Sequence, residues 1–313
     1  MSTKDFNLFA QARACLVCRD PERKLALAHA LEADWRRGAL TRDAVELELV
    51  ETAGHPQRPE LVHPRHLRPR SLGSEEGRLA MIHTITHIEF NAINLACDAL
   101  FRFHDMPDAY YGDWIQVARE EAEHFALLRA RLREAGRDYG DYPAHTGLWD
   151  MARKTAHDPL VRMALIPRMM EARGLDVTPG IMRRFAAVGD RRTVAALEVI
   201  LREEVGHVEM GSRWFHHLCR ERGLEPDATY FALLQQYLDG TIRCPLNREA
   251  RRAARPGSAK GSWSGCRRCA VADHAPRFPR ARTPPIMDRD DHRRGLPGGV
   301  ATGSLRLGRT DHG

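Results

Sequence analysis

The chain is poor in the features that would place it outside a water-borne globular class. It has no uncharged apolar stretch long enough to cross a bilayer. Residues 1–16 lack the charged start and long apolar run of a secretory signal. These absences argue for a soluble, cytoplasmic protein with no membrane partner. Cysteine is sparse and odd in number, seven in 313 residues. The set Cys15, Cys18, Cys97, Cys219, Cys244, Cys266 and Cys269 is scattered, which argues against a disulfide framework. Runs of alternating apolar and polar residues are also missing, so the class is all-α.

Net charge is +6, which suggests an acidic partner until the charge is located. Residues 251–313 hold 14 Lys+Arg against 5 acids, leaving 34 basic and 37 acidic residues in 1–250. The body is slightly acidic and the tail carries the excess. That tail has 9 Gly, 6 Pro, no Glu and two aromatics, Trp263 and Phe278. It cannot bury enough apolar surface to offset its ordering entropy and is expected to be disordered. Its basic charge could touch RNA electrostatically, without an ordered face to specify the contact.

The chain divides into three regions. Residues 1–73 read as a helical N-terminal extension ending in a Pro-rich arm: 4–50 look helical, and Pro56, Pro59, Pro64 and Pro69 make 52–73 extended. Residues 74–250 read as a bundle, and 251–313 as the tail. Ser74 is placed to cap a helix of about 75–103, with an inward stripe of Ile82, Thr86, Glu89, Ile93, Ala96 and Leu100. A second helix, about 109–135, has the stripe Trp114, Val117, Glu121, His124, Leu128 and Leu132. A loop-rich crossover spans 136–157. Asp158-Pro159 opens a third helix, bent at Pro167 and ending near Arg173, with a short helical turn at 178–188. Asp190 opens a fourth, reaching about Arg222, with the stripe Val194, Leu197, Leu201, Glu204, Val208, Gly211, Phe215 and Leu218. A fifth spans about 227–239.

Acids interrupt these apolar stripes, and a lone inward carboxylate is costly unless paired or bound to a cation. Here they form a pattern. Glu121-x-x-His124 and Glu204-x-x-His207 each put a carboxylate and an imidazole on one helix face. Glu89 precedes the first motif by 32 residues, and Glu171 precedes the second by 33. Two such helix pairs give four Glu and two His in a bundle core, the ligand set of di-metal carboxylate bundles. Oxygen donors with two imidazoles suit two iron ions, with manganese as the alternative. Glu120 and Glu203 directly precede the paired Glu residues, and are expected to support His207 and His124 across the bundle.

A single Glu-x-x-His carries little weight; Glu60-x-x-His63 in the Pro-rich arm is a third and is assigned no role. The pairs Cys15-x-x-Cys18 and Cys266-x-x-Cys269 are read as chance or buried thiols rather than a zinc site. His83 and His87 lie off the face of Glu89 and read as packing or surface residues. Tyr110, Tyr111 and Trp114 read as core.

The runs MIHTITHIEFNAINLACDALFRF, EEAEHF, MMEARGLD at 169–176 and EEVGHVEMG at 203–211 resemble the bacterial ferritin-like "domain of unknown function 455" family over about residues 10–250. More distantly they resemble the ferritin-like di-iron tRNA hydroxylase that acts on isopentenyl-adenosine. The segment CPLNREARRAA resembles the family's terminal region, and the residues after it do not. The resemblance implies a ferritin-like fold with a di-iron or related centre, its ligands carrying over as Glu89, Glu121, His124, Glu171, Glu204 and His207. It leaves the substrate open. The expected activity is an oxygen-dependent di-iron monooxygenase or hydroxylase fed by an external electron donor, with tRNA a substrate class by analogy alone. Ferroxidase or iron-binding function, and a manganese catalase-like consumption of peroxide, are the alternatives.

Overall fold

The computed structural model describes residues 6–67, 71–238 and 246–254. The expected disorder of the tail fails at its start, where residues 251–253 complete a short helix, Arg248–Ala253; from 255 on it lies outside the described residues, as do Cys244, Cys266 and Cys269. Within them the chain is all-α, without a strand: α1 Leu8–Val17, α2 Pro21–Arg36, α3 Glu75–Arg102, α4 Asp108–Glu134, α5 Gly147–Lys154, α6 Pro159–Leu165, a π-helical turn Ile166–Glu171, α7 Ala172–Ala187, α8 Arg191–Glu221, α9 Pro226–Leu238 and α10 Arg248–Ala253. No described helix is long and apolar enough to cross a membrane.

Local chemistry sets where most of these helices start. Asp20 accepts from Arg23 N at 2.7 Å, Ser74 from Gly77 N at 3.1 Å, Asp158 from Leu160 N at 2.8 Å and Asp190 from Thr193 N at 3.0 Å. Each such cap satisfies a first-turn donor and contributes about 1 kcal/mol. Pro stands at the first position of α2 and α6, where its missing N–H costs nothing.

Between the caps, apolar stripes build the core. The inward residues of α3 and α4 are all buried, and α3 packs along α4, α4 on α8, and α8 on α6, the π turn and α7. The N-terminal helices belong to the same core: α1 lies on α3 and α2 on α4, with Leu8, Leu16, Ala28 and Leu31 fully buried. Two buried ion contacts tie elements together. Lys24, fully buried, donates to the carbonyls of Cys15 (2.7 Å) and Leu16 (3.2 Å) and to Asn94 Oδ1 (2.6 Å). Its ammonium thereby answers the carbonyl end of α1 and pins it to α3. Arg162, 1% exposed, pairs with Asp98 of α3 at 2.6 Å and bonds Thr155 and the Ala152 carbonyl at the end of α5.

Three expectations change. Helix does not persist to residue 50: α2 stops at Arg36, Gly38 turns the chain at φ 65°, and the stretch beyond is irregular. It is held by long-range contacts that local propensity does not encode, among them Asn7 Nδ2 to the Asp43 carbonyl and Arg102 to the Val50 carbonyl. The crossover at 136–157 contains a helix, α5. The third helix does not end at Arg173; helical backbone runs from 159 to 187 through the π turn, with Pro179 inside α7.

The π turn has a packing cause. Pro167 supplies no N–H to the preceding turn, so the ladder must change there. Its ring sits against Gly211 of α8, where a Cβ would lie 2.3 Å from the proline Cβ and Cγ. Gly211 is thus the residue that lets the turn ending at Glu171 press on α8.

Candidate metal centre

Glu89 on α3, Glu121 and His124 on α4, and Glu204 on α8 converge so that one ligand atom from each lies within 4.8 Å of the others. Glu121 stands between the two imidazoles: its Oε2 is 3.3 Å from His124 Nδ1, and its Oε1 is 3.0 Å from His207 Nδ1. His124 Nδ1 lies 3.7 Å from Glu89, and His207 Nδ1 lies 3.7 Å from Glu204. Glu171, at the end of the π turn, faces the charges of Glu121 and His207. Four of the six sequence-selected residues therefore form the tight group, His207 touches Glu121, and Glu171 lies within reach of the charges of Glu121 and His207.

The outer nitrogens of both imidazoles are engaged. His124 Nε2 is 2.8 Å from Glu203 Oε2, and His207 Nε2 is 2.8 Å from Glu120 Oε2. A carboxylate only accepts, so each imidazole keeps a proton on Nε2 and turns Nδ1 toward the cluster.

The inner atoms are a different matter. Glu89 Oε2, Glu171 Oε2 and Glu204 Oε2 are buried and have no hydrogen-bond partner, and Glu121 Oε1 and His207 Nδ1 face only each other, at 3.0 Å. Buried polar atoms are normally satisfied, and three unpartnered carboxylate oxygens beside that pair call for a missing donor of charge. Glu89, Glu121, His124 and Glu204 could hold a metal ion that meets that need.

The electrostatics of the metal-free cluster agree. Burial and the neighbouring Glu121 push Glu89 up to about 8. Burial and Glu121 raise Glu171 to about 7 and Glu204 well above the usual carboxylate range. Burial works against ionising Glu121 too, but His124 and His207 on either side hold it below its ordinary value. Burial opposes charge on the imidazoles, yet Glu121 and Glu89 raise His124 to about 12, and Glu120 and Glu121 hold His207 well up. Protons thus occupy the place that cations would take.

The cluster is unevenly sealed. Glu89, Glu121, His124 and His207 are 0–3% exposed, whereas the side chains of Glu204 and Glu203 are 13% and 26% exposed and Glu171 is half-buried. The α3–α4 side is closed, and on α8 His207 is closed too while Glu203 and Glu204 are partly exposed.

Sequence reasoning missed how far the support extends. Glu120 also accepts from Gln116 (2.9 Å) and Arg119 (2.7 Å), and Arg119 pairs with Glu32 of α2 at 3.1 Å. A chain of charge therefore runs from the N-terminal helices to His207. Its only sequence signal is the acid beside the ligand motif. Glu60 and His63 stay in the arm, away from the cluster, where His63 caps a 3₁₀ turn at Pro64–His66. His83 and His87 are core rather than surface. His83 accepts from Gly140 N at 2.9 Å; His87 donates through Nε2 to the His145 carbonyl and takes the Tyr139 hydroxyl on Nδ1 at 2.8 Å. Tyr110, Tyr111 and Trp114 are buried, Cys15 is buried, and Cys18 is half-buried.

No solved structure matches the chain. An "Uncharacterized protein" of Haemophilus influenzae (strain ATCC 51907 / DSM 11121 / KW20 / Rd) is 45% identical over 206 residues, which is 64% of this chain and 72% of that protein. The family model "Protein of unknown function (DUF455)" matches residues 17–258, which takes in every residue of the cluster and of its support. The chain belongs to the DUF455 family.

Proposed function

We propose that this protein is a ferritin-like di-metal carboxylate oxidoreductase that holds two iron ions and uses dioxygen to oxidise an organic substrate. The observation that carries the reading is the convergence of Glu89, Glu121, His124 and Glu204, with buried, unpartnered carboxylate oxygens on Glu89, Glu171 and Glu204. Glu89, Glu121, His124, Glu171, Glu204 and His207 would hold the ions. Iron held in this way supplies redox equivalents and an open position for dioxygen.

The chain's own residues do the rest. Glu203 and Glu120 fix the tautomer and aim of the imidazoles. The sealed α3–α4 side keeps water from the carboxylates, and the partly exposed Glu203 and Glu204 mark the side from which substrate would approach. An external electron donor completes the reaction, and tRNA stands as a substrate class by analogy alone.

The test is anaerobic purification, metal analysis and absorption spectra before and after admitting dioxygen. Two irons per chain and a new near-ultraviolet charge-transfer absorption support the reading. Manganese in the protein with rapid peroxide turnover replaces it with a catalase-like activity, and a protein without metal overturns it.

A further inference from the structure

Asp176 closes the MEARGLD segment, yet it lies outside the ligand cluster. Its carboxylate is fully buried, and it sits one turn beyond Glu171 on α7. A buried acid needs partners; Arg173 of the same helix lies 3.6 Å away, and the shorter contacts come from the far end of the chain. Arg251 of α10 bonds it with Nε at 2.8 Å and with its terminal nitrogen at 2.7 Å, a two-pronged contact, and the backbone N–H of Asn247 adds a third bond at 2.8 Å. Charge-assisted, two-pronged pairs fix geometry as well as energy.

Two more contacts reach the α7 backbone itself. In a regular helix the Leu175 carbonyl would take the N–H of residue 179, but that residue is Pro179, which has none. Asn247 Nδ2 supplies the donor at 3.1 Å. Arg251 also bonds the carbonyl of Ala172, the residue directly after Glu171, at 3.2 Å. Behind these polar contacts, Ala254 and Ala250 of the same segment pack with Ala172, Leu175 and Val208. The start of α7, which succeeds a π turn and contains a proline, is thus repaired from outside by one short segment.

We propose that Asn247 and Arg251 are positioning residues of the carboxylate centre, bracing through Asp176 and the α7 backbone the turn that presents Glu171. The inference rests on the metal reading above and assigns a task to a segment well past the last ligand. Without the brace, α7 keeps its apolar contacts with α8 but loses the fixed aim of Glu171, so one of the two ions is held more weakly.

Cobalt(II) titration of the full-length, metal-stripped protein tests this, read by calorimetry and by the visible bands that report coordination. Wild type is expected to take two ions. Arg251→Ala and Asn247→Ala should each weaken one ion by roughly 10-fold or more, the scale of losses seen when support of a metal ligand is removed, and should change the visible spectrum. The other ion should stay within about 2-fold. Arg251→Lys, which keeps the charge but not the fork, should recover part of the loss and stays informative where the alanine variant folds poorly. Arg222→Ala, which breaks an ion pair with Asp158 at the start of α6, should leave both ions unchanged. Two ions bound by Arg251→Ala and Asn247→Ala with wild-type affinity and spectrum would overturn the brace alone. Wild type that binds no cobalt would overturn the metal reading and the brace with it.

Discussion

Glu203 Oε2 lies 2.8 Å from His124 Nε2, so an acid on α8 holds an imidazole on α4. Glu120 on α4 holds His207 on α8 at the same distance. The two contacts cross the bundle in opposite directions and lock both inner nitrogens onto one point. Glu120→Ala and Glu203→Ala are each expected to lower metal affinity by about 10–100-fold without unfolding the protein. Metal content after dialysis against a weak chelator checks this; unchanged content in both variants would reduce the acids to structural ion pairs.

Glu121 touches both imidazoles, whereas Glu89 faces only His124 among them. Glu121→Ala should therefore abolish uptake of both ions, and Glu89→Ala should weaken one. Protons compete for the same atoms. With Glu171 near 7 and Glu89 near 8 in the metal-free protein, raising the pH through that window ionises both and strengthens binding, and lowering it weakens binding. Calorimetry in buffers of different ionisation enthalpy should register proton release on metal uptake near neutrality. A pH-independent affinity across the window set by those two acids would contradict the assignment.

Burial lowers His55 and His83 to about 4 from an ordinary 6.5. Between those values the unfolded chain binds the protons and the folded one does not, so each histidine destabilises the fold as pH falls through the window and adds no further loss below about 4. His83→Gln removes one such group. Its stability relative to wild type should rise as pH drops from about 6.5 to 4, by on the order of 2 kcal/mol. Urea unfolding of the two proteins at neutral pH and near the lower end of that window gives the comparison, and an unchanged difference between them would refute it.

Lys24→Met leaves three buried acceptors without their cation. Each was bonded to a charged donor, so the loss should be about 3–5 kcal/mol, near the cost of breaking a buried ion contact. A denaturation midpoint within error of wild type would show that water replaces the ammonium.

Gly211→Ala drives a methyl into the ring of Pro167. The expected cost is about 1–3 kcal/mol, and because the π turn carries Glu171, metal affinity should fall with stability. A variant that loses stability but keeps full affinity would separate the two.

Much of this architecture can be read from the chain. Helix starts at Asp20, Ser74, Asp158 and Asp190 are legible because a cap is decided by a few adjacent residues. The grouping of six ligand-type residues is legible because three-residue spacing fixes a helix face. Glu120 and Glu203 can be paired with opposite histidines because a ligand's neighbour on one helix points at the next. The features that escape depend on distant contacts. Pro167 signals a bend, but a π turn requires its seat on Gly211. The irregular stretch after α2 is held by bonds to Asn7 and Arg102, and Lys24 is buried only because α1 ends beside Asn94. Asp176 stands within a conspicuous motif, yet its partner lies 75 residues further on.

The uneven exposure of the cluster has a kinetic consequence. A pseudo-symmetric pair of ligand sets would load and release its ions as equals. Here the half built on Glu171 and Glu204 reaches solvent, while the half built on Glu89 and His124 is walled in by α3 and α4. In the proposed centre an ion on the Glu171–Glu204 side would exchange before one on the Glu89–His124 side, which would give it an order of filling.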